Sequence, residues 1–340
     1  MKHLFSRRAV MAGLAAIGLA ATTFGPALAA DKITVGALRF TSHAGGFVAF
    51  EKGYFTEQGL EVEFKFFQAA QPMAVAIASG DVDFGVTSIT AGLVNLADKG
   101  AVKVIGGVLQ EEKGIDGSAI LASTAAYEAG LTSPAKLAGR SLGITQTGSS
   151  FHYMASQVAA KEGFAVSEIS MKPLQKVGAV IGALKSGQID SMIIVPHIAK
   201  PLVAGGAAKV IGWISDYDDY QVTTAFTSAK NAAERPDLVK RFVAAYAKGS
   251  ADFNAVMVDK TNGDAAIDEM TALIHKYVYN TQPIEKAAPS IKNGAMRLQP
   301  NLKLNLTNVK KQLAWFQSEG LVGKDIKIDT LVDAQFVETY

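Results

Sequence analysis

Two stretches of this chain, ASGDVDFGVT at residues 78–87 and LKSGQIDSMIIV at residues 184–195, follow one pattern. In each, Ser-Gly is followed by one residue, an aliphatic residue and an Asp that opens an apolar run. Glycine ends helices readily because it adopts left-handed backbone angles at little cost, and a short apolar run is typical of a buried strand. The repeated pattern therefore predicts a helix end, a tight turn and a strand start in each half. Asp83 and Asp190 then have a turn or strand-edge role.

The segments around these two stretches alternate between strand and helix patterns. The strand-like segments are KITVGALRF, EVEFKFF, VDFGVT and VKVIGGV in the first half, and RSLGIT, ISMKPL and IDSMIIV in the second. Alternation at this spacing predicts an α/β fold with two lobes, each a mostly parallel sheet flanked by helices. From Thr223 onward helical patterns dominate, which predicts a helical tail on the first lobe. The expected division is 31–120 plus 225–340 for the first lobe and 121–224 for the second.

The first thirty residues have the pattern of an export signal. A short basic segment precedes an apolar stretch too short to span a bilayer, and PALAA at residues 26–30 offers a small-x-small cleavage site. The adjacent Arg7 and Arg8 fit a twin-arginine signal, and they equally fit an ordinary secretory one. We therefore predict a signal peptide at residues 1–30 and export of the rest.

Composition restricts the classes of partner and of chemistry. Removing Lys2, Arg7 and Arg8 with the signal leaves 30 basic against 31 acidic residues, so the formal net charge changes from +2 to −1. No basic field favours nucleic acid or an anionic membrane. The chain has no cysteine, which excludes disulfides, thiolate metal sites and a lipid-modified cysteine after the signal. The exported protein is expected to be soluble, without a lipid anchor.

Four longer segments resemble a known family. They are VAFEKGYFTEQGLEVEF, IASGDVDFGVTS, SPAKLAGRSLGITQTGSSFHYMASQVAAKEGF and ALKSGQIDSMIIVPHIAKPLVAGG. In this order they resemble the substrate-binding proteins of ABC importers of the nitrate/sulfonate/taurine type, a superfamily shared with binders of thiamin-pyrimidine precursors. The resemblance implies a two-lobed periplasmic binding protein of type II that closes on its ligand by a hinge and presents it to a membrane permease.

Ligands of open α/β sheets lie beyond the carboxyl ends of the strands, where loops lead into helices. The loop TQTGSSFHY at residues 145–153 is the strongest anion site, because a helix start offers free N–H groups and a positive dipole end. The resemblance supports its Gly-Ser-Ser motif in the same role. Three further loops follow other strands and complete the predicted site. The ligand-binding residues expected from the four loops are Gly148, Ser149, Ser150, Phe151, His152, Phe40, Thr41, Ser42, His43, Ser88, Thr90, Pro196 and His197.

Several of these residues have structural alternatives that the sequence leaves open. Ser149, Ser88 and Thr90 are residue types that cap helices whether or not a ligand is present. The loop that contains His43 also fits a surface turn built on its two glycines. Three aromatic residues near the return crossing fit either a wall of the site or hinge packing, namely Trp213, Tyr217 and Tyr220. Arg39 stays a possible anion clamp, whereas Arg140 lies at the wrong end of its strand.

The predicted function is therefore that of a periplasmic solute-binding component of an ABC importer, which binds a small organic anion such as a sulfonate or an aromatic carboxylate. The alternatives are a neutral heteroaromatic ligand, such as a thiamin-pyrimidine precursor or riboflavin, and a sensor that presents its ligand to a receptor. An enzyme is disfavoured, because the histidines lack metal-site spacing and no nucleophile motif is present. We expect a monomer with no cofactor, no metal and no nucleic-acid partner.

Overall fold

The computed structural model describes residues 30–340. The predicted export signal, apart from Ala30, lies outside the described residues. Ten strands occur in the described part of the chain: β1 (Asp31–Ala37), β2 (Leu60–Phe66), β3 (Phe84–Thr87), β4 (Val102–Gln110), β5 (Ala119–Ser123), β6 (Ser141–Ile144), β7 (Ser170–Pro173), β8 (Ser191–Ile194), β9 (Ala208–Trp213) and β10 (Gln221–Ser228).

Helices cover both faces of these strands. They are α1 (Ala44–Glu51), α2 (Tyr54–Glu57), α3 (Ala70–Ala78), α4 (Ala91–Asp98), α5 (Thr124–Glu128), α6 (Ser150–Glu162), α7 (Val177–Lys185), α8 (Pro196–Ala204), α9 (Ala229–Glu234), α10 (Pro236–Phe253), α11 (Gly263–His275), α12 (Ile284–Asn293), α13 (Leu306–Ser318) and α14 (Ile328–Leu331). Within residues 30–340, no helix combines the length and the apolar character needed to cross a membrane.

The strands form two five-stranded sheets of the same topology. The first sheet has the order β2-β1-β3-β10-β4 and the second β7-β6-β8-β5-β9. In each, the strand next to the last is antiparallel to both neighbours and the others run parallel. We call the first sheet with its helices lobe I and the second lobe II. The antiparallel strands, β5 and β10, are the first strands after the chain crosses between the lobes.

The repeated Ser-Gly…Asp pattern has the same structural role in both lobes. Just before β3, Asp83 Oδ2 accepts the Thr34 N–H of β1 at 2.9 Å. Just before β8, Asp190 Oδ2 accepts the Ser141 N–H of β6 at 2.7 Å. Each aspartate thereby joins its strand start to the neighbouring parallel strand. The pattern recurs because each lobe needs the same junction.

Three strands were not predicted from the sequence: β5, β9 and β10. In β5 polar and apolar residues do not alternate, β9 carries one Lys near its start, and β10 is rich in threonine, so none shows a clear apolar period. The residues of β10 begin at Gln221 in the first sheet, so the expected boundary after residue 224 falls inside this strand. The crossings between the sheets are therefore the loops 111–118 and 214–220.

A buried amide network fixes the second crossing to the C-terminal segment. The Gln221 side-chain amide donates to the Leu109 carbonyl at 2.9 Å, and its oxygen accepts the Asn305 N–H at 3.0 Å. Gln312 of α13 donates to the Gln221 carbonyl at 3.1 Å. Because Gln221 and Gln312 are fully buried, these hydrogen bonds specify one arrangement of the crossing.

Candidate functional site

A cleft of about 600 Å³, part of it open to solvent, lies between the lobes. Its walls are the ends of β1, β2, β3, β6, β7 and β8, where the chain leaves a strand and enters a helix, together with the first crossing and the start of β10. The lining residues are Leu38, Phe40, Ser42, His43, Ala69, Ala70, Thr87, Ser88, Ser118, Thr145, Ser149, Ser150, Phe151, Met154, Val177, Ile194, Val195, Val222 and Thr223. We call this space the cleft.

Hydroxyl groups and apolar surface make up the cleft lining. Eight lining residues carry a hydroxyl: Ser42, Thr87, Ser88, Ser118, Thr145, Ser149, Ser150 and Thr223. Among the described residues that line it, none is Asp, Glu, Lys or Arg. The cleft can therefore recognise a ligand through hydrogen bonds and apolar contact without a charged side chain in direct contact.

The start of α6 faces the cleft. Ser149 precedes the helix in extended conformation, but its hydroxyl does not cap it. This side chain is only 2% exposed, and Ser149 Oγ has no hydrogen-bond partner among the described residues. A buried hydroxyl without a partner is costly, so a water or ligand atom in the cleft would stabilise it. The sequence left open a helix-capping role and a ligand-binding role for Ser149. The structure shows no side-chain cap at this position.

Thirteen predicted site residues divide into two sets. Seven line the cleft: Phe40, Ser42, His43, Ser88, Ser149, Ser150 and Phe151. The six outside the lining are Thr41, Thr90, Gly148, His152, Pro196 and His197. The second set lies mainly at contacts between the lobes and at helix starts.

The residues Thr41 and His197 join the lobes beside the cleft. Thr41 Oγ1 lies 3.0 Å from His197 Nδ1 and donates to the Gly294 carbonyl at 3.0 Å. The ring of Phe40, which lines the cleft, packs edge-on against His197 with a centroid distance of 5.1 Å. Both polar side chains are buried with partners of their own, and neither belongs to the cleft lining.

Gly148 and His152 hold the start of α6 against lobe I. The Gly148 carbonyl accepts the Ala91 N–H of α4 at 2.9 Å, and its own N–H donates to His152 Nδ1 at 3.2 Å. The His152 ring packs edge-on against Trp315 of α13, with centroids 5.0 Å apart. Through these contacts Gly148 and His152 position the neighbouring Ser149, and neither residue lines the cleft itself.

Thr90 and Pro196 have local roles at helix starts. Thr90 accepts the Leu93 N–H at 3.0 Å as the cap of α4 and donates to Gln71 at 2.7 Å. Pro196 is the first residue of α8, where a missing N–H costs nothing. The surface turn considered for Gly45 and Gly46 is not formed, because both glycines lie buried in α1, in close contact with α10.

The remaining aromatic and basic candidates lie outside the cleft lining. Arg39 stacks over Phe66 at 3.9 Å and donates to the Tyr277 carbonyl, so it has partners elsewhere. Tyr217 donates to Glu162, and Tyr220 packs on Tyr153 with centroids 4.9 Å apart. Trp213 ends β9. The two tyrosines therefore pack around the second crossing, one of the alternatives that the sequence left open.

Burial keeps the histidines near the cleft uncharged. Burial lowers the pKa of His43 to about 3, and burial together with the neighbouring His43 lowers the pKa of His197 to about 3. Burial also lowers the pKa of His152. Nδ1 of His43 accepts the Leu38 N–H at 3.5 Å, so in the neutral ring Nε2 is the donor. His43 therefore enters the cleft wall as a neutral hydrogen-bond donor at pH 7.

Sequence reasoning missed several lining residues for two reasons. Thr87, Thr145 and Val195 lie at or directly after strand ends, and a stricter use of the strand-end rule finds them. Ser118 lies in the first crossing and Thr223 in β10, and neither β5 nor β10 beside them shows a clear apolar period. Only the folded chain brings the first crossing and the start of β10 to the back of the cleft.

Two lobes of like topology with a lined cleft between them define the class of periplasmic-binding-protein folds. The alkanesulfonate-binding protein SsuA from Xanthomonas axonopodis pv. citri has 17% identity and a TM-score of 0.69, with 91% of this chain and 98% of that chain covered. The nitrate-binding protein NrtA from Synechocystis PCC 6803 has 13% identity and a TM-score of 0.70, with 90% and 87% covered. The chain belongs to the NMT1/THI5-like family, whose model matches residues 40–255.

The similar structures are mostly substrate-binding proteins, but an enzyme is among them. The desulfurization enzyme DSZB has 15% identity and a TM-score of 0.61, with 90% of this chain and 97% of that chain covered. No curated protein matches the chain. At these identities the likeness confirms the predicted two-lobed α/β fold, and the family match confirms the predicted resemblance.

Proposed function

We propose that the protein is the periplasmic solute-binding component of an ABC importer, which binds a small organic anion between its lobes and delivers it to a membrane permease. The observation that carries the proposal is the start of α6. There, the buried Ser149 hydroxyl has no partner among the described residues and belongs to a cleft lined from both lobes. The similarity to sulfonate- and nitrate-binding proteins supports the same role.

The acid group of the ligand binds at the first turn of α6. The N–H groups there have no partner within the helix, and the positive end of the helix dipole favours a negative group. The hydroxyls of Ser149 and Ser150 add two donors from the same turn. Several donors around one point suit a head group with several acceptor oxygens, as in a sulfonate or carboxylate.

The apolar part of the ligand packs between the two lobes. Phe40 and His43 line the cleft from lobe I, and Phe151 and Met154 line it from lobe II. A ring or short alkyl chain would bury its surface between them. Closure of the lobes around it excludes water, which strengthens each hydrogen bond in the cleft.

A neutral heteroaromatic ligand is the second candidate. The lack of Lys and Arg among the described lining residues favours it, because no cationic side chain in the cleft selects for an anion. A sensor that presents the same ligand to a receptor would use the same cleft. Neighbouring permease and ATPase genes would support import, whereas a neighbouring histidine kinase gene would support sensing.

Thermal unfolding against a ligand panel tests the proposal. The panel contains taurine, alkanesulfonates, nitrate, benzoate, phthalate, a hydroxymethyl-pyrimidine and riboflavin. A ligand at about a hundred times its Kd adds about 2.7 kcal/mol, and each kcal/mol raises the Tm by about 2–4 °C at this chain length. A shift with one acid class supports the proposal, and a shift with neutral rings alone supports the second candidate. No shift with any ligand contradicts both.

The Ser149→Ala variant tests the placement of the acid group. Loss of a hydrogen bond to a charged group costs about 1.5–3 kcal/mol, which weakens binding about tenfold or more. Ser156 of the same helix is the matched control, because its hydroxyl donates to the Tyr153 carbonyl at 2.7 Å away from the cleft lining. Calorimetric titration should show weaker binding for Ser149→Ala and unchanged binding for Ser156→Ala. Equal affinities in all three proteins would contradict the placement.

A further inference from the structure

A buried carboxyl group lies behind the cleft at the first crossing. Glu111 directly follows β4 and is 1% exposed. The Ser118 N–H donates to both of its carboxyl oxygens, at 3.0 and 3.1 Å. Ser118 itself lines the cleft. Ser118 therefore lies between Glu111 and the space for the ligand.

The Glu111 carboxyl has fewer partners than its chemistry requires. A carboxylate offers about four acceptor sites. Ser118 is its hydrogen-bonding partner, and within residues 30–340 no Lys, Arg or His forms an ion pair with it. Burial raises the pKa of this carboxyl. A carboxyl buried in this way costs free energy unless a further donor or a positive charge reaches it.

The geometry of the loop holds the carboxyl close to Ser118. A Cβ on Gly117 would lie 1.7 Å from Glu111 Oε2, so only glycine leaves room for the carboxyl there. Burial raises the pKa of Glu111, whereas the Ser118 side chain and N–H act in the opposite direction and favour the charged form. If the hydroxyl proton goes to the carboxylate, the lone pairs of Ser118 Oγ are left to accept from the cleft.

A buried hydroxyl without a partner within residues 30–340 lies at the end of the second crossing, next to Glu111. The carbonyl of Tyr220 accepts the Glu111 N–H at 2.9 Å, so the two residues are joined through their backbones. The Tyr220 hydroxyl is fully buried and has no partner among the described residues. A loop with a purely structural role would need neither the buried Glu111 carboxyl nor the buried Tyr220 hydroxyl. Two under-partnered polar groups beside a cleft are typical of a binding site that is completed by its ligand.

We propose that Glu111, acting through Ser118, makes the crossing end of the cleft a subsite for an N–H donor group of the ligand. Glu111 is thus a specificity-determining positioning residue, and Ser118 Oγ is the atom that accepts the ligand N–H. The inference rests on the proposed function and deepens it. The ligand has acceptor oxygens or an apolar ring toward α6, and an ammonium or ring amino group toward the crossings.

Isosteric ligand pairs test this subsite, because each pair differs only by an amino against a methyl group. The pairs are taurine with propane-1-sulfonate, 4-aminobenzoate with 4-methylbenzoate, and 4-aminopyrimidine with 4-methylpyrimidine. In the class that binds, we expect the wild-type protein to bind the amino member about tenfold or more tightly. Equal binding of both members would overturn the proposal.

Two variants separate specificity from structure. In Glu111→Gln the side-chain amide can donate to Ser118 Oγ, which turns the Ser118 hydroxyl proton toward the cleft. The ratio of affinities for the amino and methyl members should therefore fall to about one or reverse. Ser118→Ala removes the accepting atom and keeps the N–H that holds Glu111, so it should lower the same ratio if Glu111→Gln folds poorly. In both variants the affinity for the methyl member should change less than about threefold. A loss that is equal for both members of a pair would show a merely structural role and overturn the proposal.

A proton balance gives an independent readout. The measurement is calorimetric titration in buffers of different ionisation enthalpy, at a pH where part of Glu111 is protonated. When the amino member binds, the wild-type protein should release protons. The Glu111→Gln variant should release fewer. Identical proton release from both proteins would contradict the role of Glu111. If no pair binds in either member, the proposed function has failed, and the subsite fails with it. Binding without amino discrimination leaves the proposed function intact and overturns the subsite alone.

Discussion

Two histidines show how single residues adapt to the closed contact between the lobes. The one hydroxyl proton of Thr41 goes to the Gly294 carbonyl, so His197 Nδ1 donates to Thr41 Oγ1. The Tyr279 hydroxyl donates to the backbone carbonyl of His197 at 2.8 Å. His43, which is 3% exposed, also packs edge-on against Phe40, with centroids 6.1 Å apart. Both rings are neutral in the folded protein, and neither has room for a hydrated positive charge.

At the residue scale this burial predicts an acid-sensitive fold. The pKa of His197 is about 3 when folded against an ordinary 6.5, so below pH 6.5 the unfolded chain binds a proton that the folded chain does not. Stability is therefore lost as the pH falls from about 6.5 toward about 3, by about 1.4 kcal/mol per pH unit for this residue. We expect His197→Gln to be less stable than the wild-type protein near neutral pH but to lose less stability on acidification. Denaturant unfolding at about pH 7, 6 and 5 measures both slopes.

The control for this prediction is His275, which hydrogen-bonds to the Gln282 carbonyl at the surface. His275→Gln should keep the wild-type slope. Parallel pH curves for His197→Gln and the wild-type protein would show that His197 does not cause the acid sensitivity.

At the scale of secondary-structure elements, the two aspartates of the repeated pattern join neighbouring strands. Asp83 and Asp190 each accept a backbone N–H from the parallel strand beside their own. Asp190 also accepts from the Ser141 hydroxyl at 2.8 Å. Parallel strands start at the same edge of a sheet, and an N–H there has no partner from the ladder unless a side chain supplies one. One residue type at one place thus completes the same edge in both lobes.

Replacing these aspartates should separate the acceptor from the charge. We expect Asp83→Ala and Asp190→Ala each to lower the free energy of unfolding by about 1–2 kcal/mol, because a partly buried N–H loses its partner. The Asn variants keep an acceptor oxygen and should lose less than about half of that. Asp81→Ala is the control, since its carboxyl accepts from the exposed Ser79 hydroxyl. Denaturant unfolding compares them, and Asn variants as unstable as the Ala variants would contradict the acceptor role.

At the scale of the whole molecule, backbone and side-chain contacts beside the cleft join the two lobes. The Ala91 N–H donates to the Gly148 carbonyl at 2.9 Å, and the Val177 N–H donates to the Gln68 carbonyl at 3.3 Å. A further contact joins α13 of lobe I to α6 of lobe II through Trp315. Backbone hydrogen bonds and aromatic contacts beside the cleft thus hold the two lobes together. Such an interface suits a hinge that opens and closes with its ligand.

Two glycines with similar backbone angles provide a test of this closure. Gly148 has φ 74° and Gly163 has φ 82°, so an alanine at either position costs about 1–2 kcal/mol of strain. Only at Gly148 would the added Cβ meet the other lobe, 2.6 Å from the Ala91 side chain, whereas Gly163 has open space. We expect both variants to lose similar stability without ligand, but only Gly148→Ala to bind ligand about tenfold more weakly. Small-angle scattering should show that it stays more open with ligand present.

The measured contrast decides between closure and local strain. Equal ligand affinities in the Gly148→Ala and Gly163→Ala variants would mean that the Gly148 contact does not control closure. Weaker binding in both would assign the effect to general loss of stability.

Most of the regular elements were predictable because their signals are local. The helix of residues 150–162 and the strand of residues 191–194 were expected from apolar period, glycine stops and cap residues. The strands β5, β9 and β10 were not, because partners distant in the chain hold their residues in place. Pairing with distant segments, rather than a pattern within the segment, makes them strands.

For the site, the strand-end rule selected the right loops without separating the side chains within them. In one loop Ser149 lines the cleft, while Gly148 and His152 contact lobe I. In another, His43 lines the cleft while Thr41, two residues before it, hydrogen-bonds to His197. Neighbouring residues of a loop point in different directions, and the direction depends on the lobe that packs against it.

The sequence by itself determined two similar α/β lobes, the helix start that faces the cleft and the family to which the chain is similar. These features depend on spacing along the chain, and local spacing is what hydrophobic period, caps and turns encode. Only the tertiary structure decided which side chains face the cleft, and it alone placed Glu111 and Ser118 at its back. Those positions depend on how two lobes and two crossings meet in space, where the contacts join residues far apart in the chain and burial decides which polar groups keep a partner.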